Sequence, residues 1–167
     1  PPLPPGCLTT VWGQADRFVS TYFTLFKEPL VYSSFDWAIK DDDGYYTILG
    51  RTDDVINVAG HRLGTREIEE AIQNHAAIAE VAVVGVEDKL KGQVPMAFAV
   101  VKDASRVATP ELVKALEKEV FATVDSILGA IGRPARVHFV TGLPKTRSGK
   151  MLRRSLQALA EGRDVGD

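Results

Sequence analysis

The sequence is short of several things, and each shortage narrows its chemistry. There is one cysteine, Cys7, among 167 residues, so no internal disulfide can form, which suits a reducing compartment such as the cytoplasm. No apolar run approaches the ~20 residues that cross a bilayer. The opening PPLPPGC has no basic leader and no long apolar stretch, so it is not a signal peptide. It also lacks an initiator methionine and reads as a piece of a longer chain. No sign of charge dominates: Lys plus Arg number 20, Asp plus Glu 22, and the formal net charge is −2. That balance excludes a general electrostatic footprint for nucleic acid or an anionic membrane, so affinity for phosphate has to arise from local clusters. His61, His75 and His138 show no HExxH or similar metal spacing. Cys7 sits in a Pro-Gly loop with no base to activate it.

What is present is an ordinary globular composition, 45% hydrophobic and 25% charged, enough for one or two small domains with a real core. Up to residue 53 the pattern is irregular and strand-rich, with no convincing core of its own. PPLPPG reads as stiff, extended loop and RFVSTYFTLF as helical or mixed. LVYSSFDWAIKDDDGYYTILGR reads as two strands joined by the acidic turn Asp41-Asp42-Asp43-Gly44.

From Asp54 the pattern is regular. DVINVAG predicts a short strand, and Gly60-His61-Arg62 a turn that admits close approach. TREIEEAIQNH predicts a helix with Thr65 as N-cap and Ile68, Ala71 and Ile72 on one face. IAEVAVVGVED and QVPMAFAVVKD predict two buried strands. TPELVKALEKEVFATVDSIL is the clearest helix, with Thr109 as cap, Pro110 in the first position and Leu112, Leu116, Val120, Val124 and Ile127 on its apolar stripe. ARVHFV predicts a last strand, and MLRRSLQALAEG a final helix closed by Gly162. The order β-α-β-β-α-β-α implies an α+β fold, a small mixed sheet flanked by helices and preceded by a strand-rich tail.

Three stretches carry chemistry. LPKTRSGKMLRR, Leu143 to Arg154, concentrates cations around Gly149. Lys150, Arg153 and Arg154 fall in or just before the first turn of the last helix, where the dipole favours anions. Such a turn is either a solvated basic surface or a cradle for a visiting phosphate. It is not a P-loop, because Pro144 stands where that motif needs its first glycine and Met151 follows Lys150. GRTDDVINVAGHRLGTREIEE sets Arg51 and Arg62 either side of a short strand, with Asp53-Asp54 as a hinge or a plain turn. Asp36, between Phe35 and Trp37, can bind hydroxyls as acids bind ribose, or can cap.

Taken together, GRTDDVINVAGHRLGTREIEEAI and LPKTRSGKMLRR resemble the two C-terminal signature motifs of the adenylate-forming enzymes that make short-chain acyl-CoA. YFTLFKEPLVYSSFDWAIKDDDGYYTILGR is similar to the end of their large domain. VINVAGHRLGT and PPLPPGCLTTVWG are closer to the propionate–CoA ligases than to the acetate–CoA ligases. The resemblance implies residues 1–53 as the end of the large adenylation domain and 54–167 as the mobile C-terminal domain. It implies a ligase using ATP, Mg2+ and coenzyme A. In it Lys150 is catalytic, Asp36, Arg51 and Arg62 bind nucleotide, and Asp53 is the hinge. Ala59, Gly60 and Arg62 border the coenzyme A tunnel, where a side chain at Gly60 would block the pantetheine arm. Arg147 and Lys145 assist or hold the loop. Gln73, His75 and Ile78 match a divalent-ion site in some relatives. The family's lysine is also an acylation site, implying an acyltransferase and deacylase as partners of Lys150. The acetate-ligase arginine that meets the coenzyme A nucleotide falls near Asp125 here, in a helix of different length, a departure. The upstream phosphate loop and acyl pocket are not in this sequence, so the segment alone should be inactive. The alternatives are an acetate–CoA ligase, or a free-standing α+β binding or regulatory module.

Overall fold

The computed structural model describes residues 6–26 and 31–165, and only the backbone of Leu49 and Asp53. The expectation for PPLPP lies outside the described residues. The chain divides into two units, Pro1–Thr52 and Asp53–Asp167.

In the first unit α1 spans Ala15–Tyr22. Then β1, Asp36–Lys40, pairs antiparallel with β2, Tyr46–Arg51. The acidic turn between them is closed by Asp41, whose carboxylate accepts from the Tyr45 N–H at 2.8 Å, the local competition that makes Asp a turn residue. Gly44 takes the positive φ of 92° that the turn requires. A small aromatic nucleus does exist here, contrary to the sequence expectation: Phe18 and Phe23 are buried, and their rings meet at 5.6 Å. Tyr22 stacks on Tyr32 at 5.1 Å. Strand β1 does not share that nucleus, since each of its residues is exposed.

The second unit is a mixed five-stranded sheet. β3 (Val55–Val58) and β4 (His61–Gly64) form a hairpin. β5 (Ile78–Asp88) and β6 (Gly92–Val101) form a second, longer one. β3 meets β6 at Val58 and Gly92, and β7 (Arg136–Phe139) runs parallel to β6 along Met96–Ala99. Three helices cover this sheet: α2 (Thr65–Gln73), α3 (Pro110–Leu128) and α4 (Arg153–Ala160).

Strand alternation sorts the side chains into two cores. One holds Val83, Ala97 and Ala99 with Ile68 and Ile72 of α2, and Val120 and Val124 of α3. The other holds Ala82, Val84, Val86 and Phe98 with Leu156 of α4. The near-continuous apolar runs of β5 and β6 follow from this, because both faces are buried. Helix carboxylates also serve the sheet. Glu69 accepts from the Val83 N–H at 2.7 Å and Glu117 from the Val137 N–H at 2.9 Å, so these strand N–H groups are not left unpaired.

Three local expectations change. His61–Gly64 is a strand, β4, and the turn shrinks to Ala59-Gly60, with φ of 50° and 88°. Positive φ at both central residues is the two-residue hairpin turn whose twist matches its strands. Thr65 does not cap α2, because Gly64 holds the cap position and no side chain bonds there; Thr65 is instead buried in the first turn. On α3 the buried stripe is Leu116, Val120 and Val124, while Leu112 and Ile127 at its ends are 41% and 50% exposed. Thr109 and Pro110 do start that helix as expected, Thr109 Oγ1 accepting from the Leu112 N–H at 3.4 Å.

Candidate functional site

The basic turn is closed by its own hydrogen bonds. Lys145 and Met151 bridge as antiparallel partners, and within them Thr146 N–H donates to the Lys150 carbonyl at 2.8 Å. Gly149, at φ 83°, donates back to the Thr146 carbonyl at 2.9 Å. Thr146 Oγ1 accepts from the Lys150 N–H and lies 3.0 Å from Ser148 Oγ. Gly149 therefore sits in a tight, hydrogen-bonded turn. A β-branched residue there would face the wrong half of φ/ψ space.

The cations of the turn divide into two sets. Lys145 reaches Glu80 on β5 at 2.6 Å, so it holds the loop. Arg153 forks onto both oxygens of Glu69 on α2 and lies 3.6 Å from Asp54. Its protonated form is stabilised above its ordinary range, first by the Glu69 hydrogen bonds. This overturns one expectation: Arg153 in the first turn of α4 does not oppose the dipole unaided, since two acids compensate it. Arg147, Lys150 and Arg154 have no carboxylate partner among the described residues, and Lys150 is exposed. Cations without an acid among the described residues, on a hydrogen-bonded turn, are what a transient anion needs.

The Ala59-Gly60 turn is anchored by the Ala59 N–H, which donates to the Lys91 carbonyl at 2.9 Å. A Cβ on Gly60 would meet nothing within 4 Å, so the surface above it is open. Arg62 on β4 is exposed beside it, opposite Asn57 in the register. In the first unit the β1–β2 register places Asp36 directly opposite Arg51. The Arg51 guanidinium lies 5.8 Å from the Phe35 ring centroid. The two nucleotide candidates that sequence separates by a hairpin are thus neighbours. Asp53 lies at the division between the units, in a 3₁₀ turn spanning Thr52–Asp54.

Gln73, His75 and Ile78 cluster at the exit of α2. The Gln73 amide donates to the Ile78 and Ala79 carbonyls at 3.4 and 3.1 Å, and the Ile78 N–H donates to the His75 carbonyl at 3.0 Å. The His75 ring faces Glu119 at 3.3 Å. Their oxygens suit a hard cation in type, although no group of three His, Cys, Asp or Glu side chains gathers among the described residues. At the departure noted in the sequence, Asp125 is gripped by Arg133, Nε to Oδ1 at 2.8 Å. That hydrogen bond holds the Asp125 carboxyl below the ordinary 3.8. No motif marks Arg133, and the quoted motifs that contain Glu69 and Thr146 gave those two residues no role. Their roles come from partners remote in sequence or from the shape of one turn.

This geometry can be set beside known proteins. Residues 67–150 match the family described as AMP-binding enzyme C-terminal domain. The chain is 62% identical over 166 residues to the propionate–CoA ligase of Escherichia coli K12, covering 99% of itself and 26% of that protein. It is 50% identical over 163 residues to the acetyl-coenzyme A synthetase of Pyrobaculum aerophilum, covering 98% of itself and 23% of the relative. The ATP-bound MatB of Rhodopseudomonas palustris superposes with a TM-score of 0.75 at 23% identity, over 95% of this chain and 29% of that one. An ATP-bound RpMatB-BxBclM chimera superposes with a TM-score of 0.70 at 29% identity, over 81% and 26%. The chain thus spans about a quarter of the length of the curated relatives it matches. With the lysine turn, the α2 acids and the sheet between them all inside or beside the matched stretch, the chain belongs to the family of AMP-binding enzyme C-terminal domains.

Proposed function

We propose that this chain is the C-terminal part of an ATP-dependent short-chain carboxylate–CoA ligase that converts propionate, ATP and coenzyme A to propionyl-CoA, AMP and pyrophosphate. The observation that carries the reading is Lys150: an exposed ammonium without a carboxylate partner among the described residues, held on a turn closed by backbone and by Thr146. The 62% identity to a propionate–CoA ligase supports the substrate.

In the first step a propionate oxygen attacks the α-phosphorus of ATP and pyrophosphate leaves. Lys150 neutralises charge gathering on the carboxylate and phosphate oxygens. Asp36 accepts from the ribose hydroxyls, and Arg51 and Arg62 face the nucleotide and its phosphate. In the second step the coenzyme A thiolate attacks the acyl carbon and AMP leaves. The Ala59-Gly60 turn and Arg62 border the path of the pantetheine arm, and Gly60 keeps that path clear. Residues 1–53 close the large domain, and residues 54–167 turn about Asp53 to offer Lys150 in one step and Gly60 in the other. Mg2+ bound with ATP would offset phosphate charge. A divalent ion at Gln73, His75 and Ile78 would be held by oxygen atoms. Acylation of Lys150 by an acyltransferase, reversed by a deacylase, removes the cation and stops the first step. The enzyme works in the cytoplasm, and no helix among the described residues is long and apolar enough to cross a membrane. The segment by itself is inactive.

The test uses the full-length protein carrying this segment. Lys150→Ala is expected to abolish propionate-dependent ATP–pyrophosphate exchange and to retain thioester formation from supplied propionyl-AMP. Exchange that survives unchanged would sink the reading. Acetate run in parallel separates the two acids, since one methylene is worth about 1–3 kcal/mol in such a pocket.

A further inference from the structure

The two functional turns are joined to Asp53 differently. Ala59-Gly60 follows it along the backbone of β3 itself. Lys150 lies far down the chain, and a side-chain link connects its helix to the start of the unit. That link is Arg153.

Four segments meet at its guanidinium. Both Glu69 carboxylate oxygens on α2 accept from it. The Val83 carbonyl on β5 accepts at 3.1 Å. Asp54, the residue after Asp53, lies 3.6 Å away. Arg153 itself opens α4. The chain between it and Lys150 has little slack, because Met151 bridges Lys145 and the Leu152 N–H donates to the Pro144 carbonyl at 3.0 Å. The Glu69 side chain is 15% exposed and that of Arg153 29%. A pair this shielded holds its geometry more firmly than a surface pair.

We infer that Arg153 is a positioning residue: it ties the residue next to the hinge to the lysine turn, so that rotation about Asp53 delivers Lys150 without slack. This rests on the function proposed above. Its signature is asymmetry. Loosening Arg153 displaces Lys150 and spares Gly60, which needs no such tie. A merely structural arginine would, on removal, weaken both half-reactions alike.

The experiment uses the full-length enzyme with Arg153→Gln, Arg153→Lys and Asp54→Asn. Exchange and thioester formation from propionyl-AMP are measured for each, with the melting temperature. Arg153→Gln is expected to lower kcat for exchange about 10- to 100-fold, the usual cost of misplacing a reacting group by an ångström. KM for ATP and the thioester step should hold, since ground-state binding is not touched. Arg153→Lys keeps the charge but loses the fork, and Asp54→Asn loses only the tie to the hinge side; both should shift the ratio of half-reactions in the same direction by less. If Arg153→Gln does not fold, these two milder variants carry the test. Equal losses in both half-reactions, or unchanged exchange, would overturn the inference. Lys150→Ala run alongside tells the two failures apart. If it abolishes exchange while the Arg153 and Asp54 variants change nothing, the positioning role falls and the proposed function stands.

Discussion

In the first unit Phe18 and Phe23 are the buried side chains among the described residues, and Ile39, Tyr46 and Ile48 on the hairpin are 57%, 68% and 62% exposed. In the second, Ile68, Ile72, Ile78, Val83, Val120 and Val124 are all at 0%. Both regions contain a helix and an antiparallel hairpin, so secondary structure does not separate them. What separates them is covering. A two-stranded hairpin alone has no interior, while β5 and β6 are sandwiched between α2 and α3 on one face and α4 on the other. The difference teaches where the described buried apolar side chains are concentrated: in the unit carrying Lys150 and Gly60, far more than in the unit carrying Asp36 and Arg51.

Separating the regions is the strongest way to break that comparison. Residues 53–167 expressed alone are expected to melt cooperatively by circular dichroism, and residues 1–52 to show no cooperative transition. A cooperative melt of the short piece would make its aromatic nucleus sufficient after all. Next in size, Ile72→Ala removes a fully buried side chain from the main core and should cost about 2–5 kcal/mol in urea unfolding. Ile48→Ala on the exposed hairpin should stay within about 0.5 kcal/mol.

The helix starts give a finer contrast. Thr109 caps α3 with its side chain, whereas Gln14 at the start of α1 makes no such bond. Thr109→Ala should therefore cost about 1 kcal/mol, and Gln14→Ala nothing that urea titration resolves. The smallest effect is acid sensitivity in the second unit. Asp125 is held below the ordinary 3.8 by the Arg133 hydrogen bonds, against the opposing pull of desolvation. A depressed folded value means stability that is present above the unfolded value and lost as pH falls through the folded one. Melting temperatures taken downward from pH 4 should fall less steeply for Asp125→Asn than for the unaltered protein.

Much of the second unit was legible because its signals are local and periodic. Thr109 and Pro110 mark a helix start whatever lies around them. The apolar runs of β5 and β6 leave few options beyond buried strands. Gly162 closes α4 as its sequence suggests, its N–H donating to the Leu159 carbonyl at 3.1 Å. The failures are physical too. Four residues, His61–Gly64, are too few to show a period, so β4 read as turn. Thr65 looks like a cap in one dimension, but its burial gave the cap position to Gly64. The aromatic nucleus of the first unit rests on Tyr32 and Phe35 meeting α1 from across a gap in sequence.

The candidate site divides the same way. Its candidate residues could be named from the chain alone: a lysine after a glycine among arginines, an acid between aromatics, a glycine opening a basic turn. Those are side-chain types and near-neighbour spacings, and they do not depend on what folds against them. Tertiary structure alone decided which charges remain available. Arg153 and Lys145 are spent on Glu69 and Glu80, while Arg147, Lys150 and Arg154 are left without acids among the described residues. Coulombic pairing depends on distance in space, and these partners lie far apart along the chain until α4 packs onto β5.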